Sequence, residues 1–217
     1  MRGLVRHNLF SMMDNLKMAL IISLLLTVFM GVCVIFRNLS GSGLAAVVLI
    51  QLVIYVLHIA VPMQADSNCR WSRFEITMPV KRKDIVKARY ICYLLNGILG
   101  IITGFVSIVI FNLLQGNVNA ERLGFSITFG VVLLIFVPAL MHPLLLLVGA
   151  DKSETILTIS ILAVTAMFLG GSVLFNRIFP YLEASDVIFR AFIILLSIIC
   201  FGISYIISVQ VYKNKEV

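Results

Sequence analysis

Charge is what this sequence has least of. Of its 217 residues only 12% are Asp, Glu, Lys or Arg, while 61% are hydrophobic and the mean hydropathy is +1.09. An ordinary soluble domain carries about 25% charged residues, so a water-facing surface could not be covered here. Disorder is excluded for the same reason, because disordered chains are rich in charge and poor in apolar residues. Cysteine is sparse and scattered. Cys33, Cys69, Cys92 and Cys200 form no close pair, which excludes a disulfide framework or a thiolate zinc site. No Gly-x-x-x-x-Gly-Lys-Ser/Thr run occurs, so the chain cannot cradle nucleotide phosphates in the P-loop manner. No Gly-x-Ser-x-Gly elbow occurs either, which leaves a hydrolase without its nucleophile. Acidic residues are absent from the long apolar runs, whereas ion-driven transporters commonly carry protons or sodium on buried carboxylates.

What is present is a series of apolar runs. Roughly 20 such residues cross the hydrocarbon core of a bilayer as a helix. Six runs qualify: 18–36, 44–63, 90–114, 123–150, 155–175 and 191–212. No Ala-x-Ala type site follows the first run, so it reads as a retained span rather than a cleaved signal. The expectation is an all-α polytopic membrane protein, a single transmembrane domain over 1–217, with no room for a folded soluble domain.

The basic residues set an orientation. With the N-terminus inside, thirteen of the seventeen Lys and Arg residues fall in cytoplasmic segments, and only Arg37, Arg122, Arg177 and Arg190 fall outside. That bias places both termini in the cytoplasm of a multi-pass protein of the cell membrane. It also accounts for the net charge of +7 without nucleic acid as a partner.

Three features could carry function. In segment 1–17, Val5, Leu9, Met12, Met13 and Leu16 recur at helical spacing, as in an amphipathic interfacial helix. It reads either as a surface anchor or as a docking surface. The second feature is loop 64–89, which holds seven of the seventeen basic residues. Ser72 and Glu75 match a helix-starting capping box, Pro79 breaks that helix, and a second start at 81–84 runs on into the third span. The product is a short helix displayed on the cytoplasmic face, suited to receiving a push from a separate motor or to gripping lipid headgroups.

The third feature is polar. His58, Asn96 and His142 fall roughly 6–12 Å below the cytoplasmic boundary at 1.5 Å per residue. Two histidines at that depth suggest a proton or metal site. Interhelical hydrogen bonding, or the lining of a cavity, explains the same set without one. Gly100 and Gly104 form a GxxxG in the third span that permits close helix approach, within one chain or between two.

The stretch Met78-Pro79-Val80, with Arg82, Ile85-Val86 and Ala88-Arg89-Tyr90, resembles the loop between the second and third spans of ABC-2 type permeases. It is most similar to the small six-span permeases related to phenol-soluble modulin and antimicrobial-peptide exporters. Arg89 departs from the lysine expected there. The resemblance implies a coupling helix between spans two and three that contacts a separate ATP-binding subunit. Glu75, Met78, Pro79, Arg82 and Asp84 would lie at or beside that contact. It further implies a dimer of six-span halves, of the same chain or a paralogue, with ATP and Mg held by the partner subunit and no cofactor or enzymatic activity on this chain. The scarcity of charge in the spans points to hydrophobic or amphipathic cargo, and the family likeness to peptides. A non-transporting assembly, sensor or immunity factor, holding a cytoplasmic partner through the basic loop, is the alternative.

Overall fold

In a bilayer every backbone N–H and C=O must find its partner inside the protein, so apolar runs of this length become helices. The computed structural model describes residues 2–37, 41–61, 63–64, 81–115, 120–149, 152–178 and 187–214. These residues form six principal helices: α1 (Arg2–Arg37), α2 (Gly41–Leu57), α3 (Arg82–Gln115), α4 (Ala120–Val148), α5 (Ser153–Ile178) and α6 (Val187–Asn214). All except α2 are long and apolar enough to cross a membrane. The protein is an all-helical polytopic membrane protein.

The helix ends depart from the apolar runs in three places. Residues 2–17 are not separated from the first span, since α1 is continuous from Arg2 to Arg37. The third span begins at Arg82, in the second half of loop 64–89, where the 81–84 start places it. The second run, 44–63, is not one straight helix: α2 ends at Leu57, and turns follow over 58–60. A proline at position 62 has no N–H to offer the carbonyl four residues earlier, which from the sequence alone disfavours one regular helix over 44–63.

α4 sits at the centre, packed against α2, α3, α5 and α6. Of its apolar window 61% is buried, against 22–33% in the other four long helices. α1 lies on α2 and α3, and α5 lies on α4. Glycine lets α2 approach its neighbours closely. A Cβ at Gly130 of α4 would overlap the Leu52 side chain. One at Gly100 of α3 would come within 3.2 Å of Tyr55 Cγ and 3.3 Å of Leu134 Cδ1, while Gly104 faces Leu52 in ordinary contact. The GxxxG of the third span therefore packs against α2 of the same chain. A further glycine closes α4: Gly149 has φ +108° and donates its N–H to the Leu145 carbonyl at 3.0 Å.

A buried polar layer fastens α1 to this core. Gln51 of α2 donates from Nε2 to the Ser23 carbonyl at 3.0 Å and to Thr27 Oγ1 at 2.8 Å, both on α1. The hydroxyls of Thr27 and Ser107 of α3 lie 2.8 Å apart. All four side chains are buried. Hydrogen bonds between helices in a bilayer average about 0.6 kcal/mol and reach about 1.7, whereas overpacking a fitted core costs about 1–3. Gly130→Ala should therefore destabilise the purified chain by about 1–3 kcal/mol in equilibrium unfolding from mixed micelles, comparable to the loss of both Gln51 bonds in Gln51→Leu. A Gly130→Ala protein of parental stability would show that the Leu52 contact does not set the spacing of α2 and α4.

Candidate functional site

Residues 64 and 81, which flank the basic segment, lie at the same end of the bundle. Gln64 Nε2 donates to Glu154 Oε1 in the first turn of α5 at 2.8 Å. Arg82, in the first turn of α3, donates from Nη1 to the carbonyls of Lys213 at 2.8 Å and Tyr212 at 3.3 Å. This end is called the loop face below. The last carbonyls of a helix have no N–H partner and carry the negative end of its dipole. A guanidinium on the end of α6 satisfies both requirements. Asp84 occupies the first turn of α3, where the positive end of that helix favours a carboxylate. Glu75, Met78 and Pro79 lie outside the described residues.

One to three turns deeper, tyrosine, serine and histidine side chains from α3, α4 and α6 meet. The chemistry begins with a backbone defect. Pro143 inside α4 has no N–H, so the carbonyl four residues earlier, at Ala139, loses its helical donor. The Ser204 hydroxyl of α6 donates to that carbonyl. The Tyr90 hydroxyl lies 2.7 Å from Ser204 Oγ and 2.9 Å from Ser208 Oγ. A hydroxyl has one proton, and a carbonyl can only accept. With the Ser204 proton committed to Ala139, Tyr90 donates to Ser204 and accepts from Ser208. The result is a directed chain from Ser208 through Tyr90 and Ser204 to Ala139, in which each bond polarises the next.

The Tyr90 ring is enclosed edge-on by Tyr93, His142, Phe201 and Tyr205, with His142 at 5.0 Å between centroids. His142 is 1% exposed, and its Nδ1 lies 3.1 Å from the Tyr93 hydroxyl. Asn96, one turn past Tyr93 and buried, donates from Nδ2 to the Tyr55 carbonyl at 2.9 Å. That carbonyl is available because α2 is ending: the Ile59 N–H bonds Val56 instead, at 3.1 Å. His58, half-buried, turns its Nδ1 onto the Ile54 carbonyl of its own helix at 2.7 Å. The two histidines thus make separate hydrogen bonds. Among the described residues no group of three or more His, Cys, Asp or Glu side chains is placed to hold a metal ion.

Three of the polar positions singled out in the sequence take part in contacts between helices or helix ends: Arg82, Asn96 and His142. Tyr90, Tyr93, Ser204 and Ser208, as well as Ser23, Thr27 and Ser107, are not marked as functional positions by the sequence. Spacing offered the signal. Ser204 and Ser208, like Ser23 and Thr27, are four residues apart and share a helix face, and Tyr90 and Tyr93 are three apart. Towards the other end, a shallow apolar cleft of about 80 Å³ opens between α2, α3 and α4. Leu52, Ile101, Phe105, Ile127 and Val131 are among its walls, and Gly104 forms part of its floor.

Residues 3–213 match the family described as ABC-2 family transporter protein. No curated protein and no solved structure matched the chain. The match runs through all six helices and the segment between α2 and α3. The chain belongs to the ABC-2 family of transporter proteins, and within it is a multi-pass membrane permease.

Proposed function

We propose that the chain is the membrane subunit of an ATP-driven exporter that moves hydrophobic or amphipathic cargo, peptides among them, out of the cytoplasm. The observation that carries this reading is the family match over residues 3–213 in a sequence that has no P-loop of its own. Hydrolysis then belongs to a separate ATPase subunit, and ATP and Mg to that subunit. The loop face is cytoplasmic, because thirteen of the seventeen basic residues are assigned to it and its connections. Segment 64–89 docks the ATPase, with Glu75, Met78 and Pro79 at the contact and Arg82 and Asp84 beside it. Two such six-span halves, identical or paralogous, enclose the path. The cargo class follows from spans with almost no charge and from the wholly apolar walls of the cleft around Gly104.

Sidedness is open to direct measurement. In a cysteine-free background, Asp66→Cys should react with an impermeant maleimide only in inverted vesicles, and Glu183→Cys only in intact cells. The opposite pattern would invert the topology. Docking is tested by co-expression with the cognate ATPase. Glu75→Ala and Pro79→Gly should weaken its binding about tenfold or more, as loss of central interface residues does. ATP-dependent accumulation of a fluorescent amphipathic helical peptide in inverted vesicles should accompany the intact complex. Peptide binding without accumulation would favour a non-transporting assembly, sensor or immunity factor.

A further inference from the structure

Gln64 and Arg82 flank segment 65–80 in the sequence, and both of these residues are held by the C-terminal helix pair. Gln64 is bonded to the start of α5 and Arg82 to the end of α6. Eight residues beyond Arg82, about 12 Å along α3 at 1.5 Å per residue, Tyr90 bonds Ser204 and Ser208. The two contacts share one antiparallel register, with 82 opposite 212–213 and 90 opposite 204–208. Ser204 then reaches the Ala139 carbonyl that Pro143 leaves without a donor. Hydrogen bonds therefore recur down the α3–α6 seam, from the edge of segment 65–80 to the proline break in the central helix.

Resting on the coupling role proposed above for segment 64–89, we propose that Arg82 and Tyr90 are positioning residues of the transport cycle: they lock α3 to α6, so that a displacement of segment 65–80 carries both helices together and bends α4 at Pro143. Arg82 acts at the dipole end of α6, where its charge holds two carbonyls. Tyr90 acts two turns inside, where its hydroxyl is the middle link between Ser208 and Ser204. Its ring, packed among His142, Phe201 and Tyr205, keeps that hydroxyl in place. A bend in α4 at Pro143 costs no intrahelical hydrogen bond at Ala139, because that bond is already replaced by one from α6. Motion of α6 is thereby felt at the break.

The test compares peptide moved per ATP hydrolysed in proteoliposomes holding the permease with its ATPase, using the fluorescent amphipathic peptide. Tyr90→Phe retains the ring and removes only the hydroxyl, and Arg82→Gln removes only the charge and the fork. Tyr90→Phe, outside the docking segment, should still bind the ATPase and hydrolyse ATP. Arg82→Gln, beside the contact, is compared at saturating ATPase. In each, peptide moved per ATP hydrolysed falls about 2- to 30-fold, the range seen for residues that carry coupling. Arg82→Lys should recover most of the loss. The double variant should be no worse than the more affected single one, because both act on one seam. Spin labels on the exposed positions Lys83 and Gln210 should keep one separation in the ATP-free and vanadate-trapped states of the parent, and diverge in Arg82→Gln. Parental coupling in both single variants, or a Lys83–Gln210 separation that changes in the parent itself, overturns this inference while leaving the proposed function intact. Failure of any ATPase to associate with the parent chain overturns the proposed function, and this inference with it.

Discussion

Hydrocarbon offers no hydrogen bonds, and the centre of this bundle is built around the places where its own helices fail to supply them. Pro143 strips the Ala139 carbonyl of its donor in the most buried helix. The end of α2 does the same to the Tyr55 carbonyl. Each unsatisfied group inside a membrane costs several kcal/mol, so a side chain from another helix must arrive: Ser204 from α6 in the first case, Asn96 from α3 in the second. These rescues fix which helices are neighbours and at what height. The end of α6 presents the same problem at the surface, and Arg82 answers it there. One constraint, met at three depths, aligns α3 with α2, α4 and α6.

Apolar packing alone would not give this alignment. Leu, Ile and Val on one helix pack nearly as well against lipid as against a neighbouring helix, so they leave rotation and register loosely determined. Shape supplies part of the answer. Gly130 and Gly100 form hollows that accept Leu52 and Tyr55, and those fits set the closeness of α2 to α3 and α4. Direction supplies the rest, since a hydrogen bond has a geometry and a hydrophobic contact does not. The polar residues are few because each is expensive to bury. Among those that remain, Gln51, Asn96 and Ser204 each meet a backbone carbonyl of a neighbouring helix.

The spans were legible in the sequence because apolar run length is a strong signal and a bilayer admits few alternatives to a helix. The start of α3 near 81–84 was legible from Pro79 and the charges that follow it. The break in α2 could have been read from Pro62 but was hidden by the high hydropathy of 44–63, interrupted only by Gln51 and His58. The seam and the α1 layer were not legible, for a different reason. A serine or threonine in a helix can return its proton to a carbonyl of its own preceding turn, as Ser160, Thr165 and Ser197 do. Ser204 instead reaches Ala139, 65 positions away. Nothing in the local pattern distinguishes the two cases, because the choice depends on whether a neighbouring helix has lost a donor. The same limit applies to Arg82. Its charge and position marked it as a surface residue, but not that the surface it meets is the end of α6.

The polar contacts also divide the bundle in a way that composition could not reveal. One set, built on Gln51, Thr27 and Ser107, joins α1, α2 and α3. The other, built on Tyr90, Tyr93, His142 and Ser204, joins α3, α4 and α6. α3 belongs to both, and it is also the helix that begins at Arg82, directly after segment 65–80. Its face toward α2 is close-fitted at Gly100 against Tyr55, and Asn96, one turn earlier, is bonded to the Tyr55 carbonyl. Its face toward α6 is pinned at two heights by hydrogen bonds. α3 is thus held by hydrogen bonds on both sides, at Asn96 and Ser107 toward α2 and α1 and at Arg82 and Tyr90 toward α6. Its first turn is where the basic segment joins both sets.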